Sequence, residues 1–152
     1  CSSDLQYADR VTWVSTYVFR QAIAGRFADA ARRMLLAGEA AHVFAPFGAR
    51  GLNSGVADVA VAAAAIDRAL RNPSHASDAI EDFAESRRTA AARNRAASSQ
   101  ALTHLEARSN TRRMMRWAAA GLAPVISACG RWLDSAPYGP PLGAPDRHGM
   151  YY

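Results

Sequence analysis

The chain contains no lysine; all eighteen of its basic residues are arginine. A phosphate-binding loop of the G-x-x-x-x-G-K-[ST] kind is thereby excluded, because that chemistry needs a lysine reaching the phosphates. With so much alanine beside it, the lysine-free composition reads as a codon bias rather than a binding device. Cysteine is almost as scarce. Cys1 and Cys129 lie far apart and form no metal-ligand spacing, so no metal site is expected and a reducing cytoplasm is the default location. Long apolar runs are also missing. The longest, Val59 to Ile66, falls well short of the ~18–20 residues a membrane span needs, and nothing at the N-terminus reads as a signal peptide. No membrane partner is expected. Disorder is excluded as well, since 50% of the residues are hydrophobic. The start at Cys-Ser-Ser without methionine fits a fragment or a processed chain. A mature lipoprotein fits less well, because the residues after Cys1 read like the middle of a domain.

Positive charge is in surplus, formally +5, and it is uneven. Ser86 to Arg116 carries eight arginines against the single acid Glu106. Such a stretch can attract nucleic acid or anionic lipid. Here no aromatic residues interleave with the arginines and no nucleic-acid motif accompanies them. A solvated helix face is therefore the preferred reading, with no nucleic-acid partner.

The element pattern is that of an α+β chain, or an α/β fragment. Arg10 to Phe19 is rich in Val, Thr and aromatics and predicts one or two strands, with Trp13, Tyr17 and Phe19 in the core. A short helix or turn over Arg20 to Arg33 leads to a buried strand, Met34 to Ala37. Asn53 and Ser54 are good N-caps for a helix running to about Leu70. Pro73 breaks it, and Ser77 or Asp78 caps a long helix to about Ala107 whose buried stripe is Ile80, Phe83, Ala84, Ala91 and Leu102. A third helix spans about Thr111 to Leu122 and ends near Pro124, with Trp117 and Trp132 as core or helix-end anchors. From Ser135 the sequence is an irregular Pro/Gly-rich tail. One buried strand feeding one helix is half of an α/β unit, so partner strands are expected from elsewhere.

Between strand and helix runs Leu35 to Asp58, LLAGEAAHVFAPFGARGLNSGVAD, with a glycine or proline every few residues. The G-x-G-x-x-G spacing of a dinucleotide fingerprint is absent from it. What it offers is bare backbone. Gly48 and Gly51 permit close approach and positive φ, Pro46 stiffens the entry, and the helix start directs unpaired N–H groups and a positive dipole end outward. That suits a flat cofactor ring. Asp58, one turn into the helix, most simply complements its dipole.

The segment Arg32 to Asp58 resembles the second flavin-binding motif of the class A FAD-dependent aromatic hydroxylases, the para-hydroxybenzoate hydroxylase family. The family pattern is G-D-A-A-H, a proline-containing loop, G-x-G-[LM]-N-x-G and then D. Looser likeness extends through STYVFRQAIAGRF before the motif, FAESRRTAAARNR after it, and GRWLDSAPYGP near the end. The resemblance implies the C-terminal part of a Rossmann-like two-domain FAD monooxygenase. Residues 1–72 would form the end of a substrate-domain sheet and the flavin motif, 73–134 C-terminal helices, and 135–152 the tail. It implies FAD as cofactor, NAD(P)H as co-substrate and a small aromatic substrate hydroxylated with oxygen. An N-terminal half would supply the ADP-binding site, and a homodimer is allowed.

Residue by residue, Glu39 after Gly38 would meet the ribityl chain, and Pro46 to Gly51, with Arg50 among them, would lie along the isoalloxazine. The amides of Leu52 and Asn53 would hold the pyrimidine edge. No side chain is nominated as catalytic, and His42 is read as structural. The chain departs from the family in having Glu39 for Asp and Val61 to Ile66 for N-L-[AG]-W-K-L. The other reading is a non-catalytic remnant acting as an interaction or assembly domain.

Overall fold

Two antiparallel helices dominate the computed structural model, which describes Arg10 and residues 12–135. A small ribbon and a turn-rich segment pack along one side of the pair, and a second helical hairpin follows it. The class is α+β, mostly helical, with one two-stranded sheet among the described residues. The Pro/Gly-rich tail expected beyond Ser135 lies outside those residues.

The ribbon pairs β1 (Ala22–Ile23) antiparallel with β2 (His42–Val43), Ala22 opposite Val43 and Ile23 opposite His42. Between them the chain doubles back through an isolated bridge of Ala28 with Leu35. Asp29 builds that turn. Its Oδ1 accepts from the amides of Arg33 (2.7 Å) and Met34 (2.8 Å), and its Oδ2 from that of Ala31 (3.2 Å). A short carboxylate that captures nearby amides is a turn former for this reason.

The strand expectations need correction. Residues 12–20 form no strand, and Trp13, Tyr17 and Phe19 are 70%, 65% and 49% exposed rather than core. Met34 is exposed too, and Met34 to Ala37 contributes only the bridge residue Leu35. The expected helix or turn over Arg20 to Arg33 is β1 followed by the Asp29 turn. Strand propensity measures fit to a pleated, half-buried surface, and no described strand lies beside 12–20 to provide one.

The helices agree more closely with the sequence. α1 (Arg50–Arg71) ends where Asn72 turns extended, at φ −135° and ψ 80°, because Pro73 bars the residue before it from helical backbone. A single 3₁₀ turn, Pro73–His75, leads to α2 (Ala76–Glu106). Neither expected cap is used there. His75 occupies the N-cap without a side-chain bond, and Asp78 stands inside the first turn. At the other junction α1 starts at Arg50, so Asn53 and Ser54 are inside the helix rather than capping it.

Cross-helix pairs run Arg68 with Asp82, Asp58 with Arg87 and Arg50 with Asn94, which fixes α1 and α2 as antiparallel. The core packs Val61 and Ala65 of α1 against Ile80, Phe83 and Ala91 of α2, with Phe27 and Ala41 closing one side. Ala84 and Leu102, expected in the same stripe, are only partly buried.

α3 (Asn110–Leu122) is capped by Ser109, whose Oγ accepts from the Arg112 amide at 3.2 Å. The chain turns at Pro124 into α4 (Ser127–Ser135), a helix not expected from the sequence pattern. α3 and α4 pack on each other. Arg116 ties them to α2, its Nη1 donating to the carbonyls of Leu105 (3.1 Å) and His104 (3.5 Å). Trp117 is 81% exposed and anchors nothing, whereas Trp132 meets His104 edge-on at 4.5 Å. Among the described residues no helix is long and apolar enough to cross a membrane.

Candidate functional site

Two backbone features converge on the first turns of α1. One is the 3₁₀ turn Gly38–Ala40, entered with Gly38 at φ +58°, a conformation that favours glycine. It sits directly on the helix. A Cβ added to Gly55 would meet the Gly38 Cα at 3.4 Å, so the two glycines allow a contact that larger residues would wedge apart.

One turn further along α1 stands Asp58. Its Oδ2 accepts from the Gly38 amide at 2.9 Å and from His42 Nε2 at 2.7 Å, and its Oδ1 accepts from Arg87 Nε at 2.8 Å. An ionised carboxylate only accepts, so His42 carries its proton on Nε2. The side chains of Asp58, His42 and Arg87 are all fully buried. Burial pulls the Asp58 carboxyl pKa up. Hydrogen bonds from His42, Arg87 and the Gly38 amide, with the Arg87 charge, outweigh that and hold it below the usual carboxylate range. Phe44 stacks on the His42 ring at 4.5 Å, with 7° between the planes.

This cluster corrects the reading of Asp58. With α1 beginning at Arg50, Asp58 lies beyond the first turn and complements no dipole; it joins α1, α2 and the Gly38 turn. Arg87 is missed by sequence reasoning, which treats it as one of many arginines on a solvated face. His42 is structural, as expected.

The second feature is the loop into α1. Pro46 starts it, Gly48 takes φ +77°, and Ala49 takes the left-handed φ of 52° with no side chain capping the helix. Ala49 thus offers no side-chain acceptor to the N–H groups at the start of α1. Gly51, Leu52 and Asn53 form that start, with Leu52 77% exposed, and a Cβ on Gly51 would meet nothing within 4 Å. Arg50 points the other way. It is buried, donates from Nη1 to Asn94 Oδ1 at 3.1 Å, and has its pKa pulled down by burial from a value at which it stays charged. Its side chain is therefore not on the open side, where the resemblance would put it along the ring.

The fold thus gathers Pro46, Gly48, Gly51, Leu52 and Asn53 at the head of α1. Gly38 and Glu39 sit on the adjoining turn against Gly55, with Glu39 exposed. Gly51 and Gly55 are four residues apart, ~6 Å along the axis. Chemically this is an uncapped helix N-terminus able to hold an anion or carbonyl, beside an exposed carboxylate able to accept from hydroxyls. No curated protein and no solved structure matches the chain. The family profile described as FAD binding domain matches residues 3–99, so the chain belongs to that FAD-binding family.

Proposed function

We propose that the chain is the isoalloxazine-side part of an FAD-dependent monooxygenase of the aromatic-hydroxylase type, with an N-terminal half binding the ADP moiety. NAD(P)H is the reductant and a small aromatic compound the substrate. The observation that carries this reading is the uncapped, outward-facing start of α1, with open space over Gly51, inside the family match. The residues fit the cofactor. The amides at Leu52 and Asn53 would hold its pyrimidine edge, Pro46 to Gly51 would back the ring, and Glu39 would accept from the ribityl chain. Bound FAD supplies the redox chemistry. The chain's own part is to orient the ring and place a helix dipole where negative charge develops, an effect of ~0.3–1 kcal/mol when exposed and more when buried.

A remnant serving as an assembly domain is the second reading. It is favoured by a stripe of exposed apolar residues along α1, Leu52, Val56, Val59, Ile66 and Leu70. FAD titration separates the two. Joined to a G-x-G-x-x-G half the chain retains yellow FAD after desalting, and alone it holds FAD only weakly. Glu39→Ala in the joined protein weakens FAD at least tenfold, matching a charge-assisted bond of ~1.5–3 kcal/mol. No retention in any form supports the assembly reading instead.

A further inference from the structure

Asp58 is charged, fully buried, and held by donors from three separate places: the Gly38 turn, β2 and α2. Packing two helices does not require it. Buried ion pairs are often replaceable by apolar residues of similar volume without loss of stability. The same seam does this a few residues away with Val61, Ala65, Ile80 and Phe83. What apolar side chains cannot do is accept the Gly38 N–H.

We propose that Asp58 is the positioning residue of the FAD site, braced by Arg87 and His42, so that α2 sets where the Gly38 turn and Glu39 stand. This rests on the FAD reading of the site. The geometry gives each atom a task. Arg87 Nε fixes Oδ1, which leaves Oδ2 turned toward both His42 Nε2 and the Gly38 amide. The Gly38–Gly55 contact blocks the turn from sliding along α1. The carboxylate and the glycine pair together hold a left-handed residue whose neighbour, Glu39, is exposed at the cofactor side. Loss of the carboxylate leaves the Gly38 amide without its acceptor. The turn then shifts toward water, carrying Glu39 with it.

Stability and positioning are separated by a double-variant cycle. Asp58→Leu and Arg87→Met each strand a buried partner and lower the melting temperature. The double variant removes both charges and recovers part of that loss, the Gly38 and His42 donors still lacking their acceptor. FAD affinity, read by flavin fluorescence in the joined protein, stays at least tenfold weak in Asp58→Leu and in the double variant. Gly38 amide exchange, read in the FAD-free chain, is at least tenfold faster in both. Arg87→Lys, which keeps the charge, regains part of the affinity that Arg87→Met loses. If the leucine variants do not fold, Asp58→Asn keeps the shape without the charge and shows the same faster exchange and weaker FAD. The proposal is overturned if the double variant regains FAD affinity along with stability, or if Gly38 exchange is unchanged without the carboxylate. A wild type that binds no FAD sinks the cofactor reading, while Gly38 exchange still decides whether Asp58 holds the turn.

Discussion

The two ends of the α1–α2 seam solve the same packing problem with different materials. At the end near Pro73 the contact is dry, with Val61 and Ala65 against Ile80 and Phe83. At the end near the glycine loop alanines are joined by buried polar residues, Arg50, Ser54 and Asp58 of α1 and Arg87, Asn94 and Ser98 of α2. Both ends are closed to water, so exposure does not explain the difference. Neighbours do. The dry end meets the ribbon segment only through apolar side chains such as Phe27 and Ala41, whereas the polar end receives hydrogen-bonding backbone groups, the Gly38 amide and the Phe47 carbonyl, which Ser98 Oγ reaches at 3.5 Å. Backbone groups need polar partners when buried. A seam that positions loops must therefore carry side chains that one merely holding helices together can omit.

The sharpest way to test that contrast is to damage each end equally. Phe83→Ala removes a fully buried ring from the dry end and should cost about 3–5 kcal/mol. Arg87→Met at the polar end should cost a similar ~3–5 kcal/mol, because it leaves the Asp58 carboxylate buried without its cation. pH then tells the two apart. The Asp58 pKa is depressed on folding, so its contribution is fully present above the ordinary carboxylate value of about 4 and is lost as pH falls through the lower folded value. Urea titrations of wild type should show stability falling with acidification below about pH 4. Phe83→Ala keeps that slope. Arg87→Met flattens it, because its carboxyl no longer titrates below the unfolded value. A slope that survives in Arg87→Met would mean that other carboxylates, Asp29 among them, carry the acid sensitivity.

The dry end was largely legible from sequence, and the polar end was not. Ile80, Phe83 and Ala91 recur at helical spacing, and Pro73 marks the break between helices, so local pattern suffices. The loop glycines were legible in part: Gly48 takes the positive φ expected of it, at +77°, whereas Gly51 lies inside α1 without one and Gly38, at +58°, is not singled out for it by the pattern. The Asp58–Arg87 pair joins residues 29 apart, and neither is unusual by itself. A phase argument would have found them. Asp58 falls four residues after buried Ser54 and three before buried Val61, and Arg87 falls midway between Phe83 and Ala91. Strands failed for the opposite reason. Residues 12–20 have the composition of a strand, but pairing partners are not encoded within the segment itself.

The next effect in size concerns two glycines four residues apart on α1, Gly51 and Gly55. Gly55 faces inward onto the Gly38 backbone, while Gly51 faces open space and its φ is not left-handed. Gly51→Val should therefore fold with stability within about 0.5 kcal/mol of wild type in the absence of cofactor. In the joined protein, the ~2.7 kcal/mol gained by wild type at a hundredfold excess of FAD over its dissociation constant should disappear. Paired melting curves with and without FAD read both quantities. Full retention of the FAD-induced rise would remove the loop from the cofactor site and leave Gly51 a simple helix-entry residue.

The smallest expected effect lies at Ala49, where the loop pays for its shape with a left-handed alanine at φ 52° and ψ 29°. An L-residue with a Cβ loses roughly 1–2 kcal/mol there relative to right-handed backbone, a cost glycine escapes. Glycine also gives the unfolded chain more freedom, which offsets about 0.4–1 kcal/mol of the gain. Ala49→Gly should thus stabilise the chain by up to about 1 kcal/mol, a net of the two terms. Ala107 offers the internal comparison, with φ 42° at the C-cap of α2. If strain alone matters, Ala107→Gly and Ala49→Gly raise the denaturation midpoint alike. If the alanine at position 49 also rigidifies the start of α1 for a ligand, only Ala49→Gly lowers FAD affinity while raising stability. Urea midpoints and FAD titrations on the two variants decide between these. Equal gains with unchanged FAD binding would leave Ala49 a strained turn residue with no part in the site.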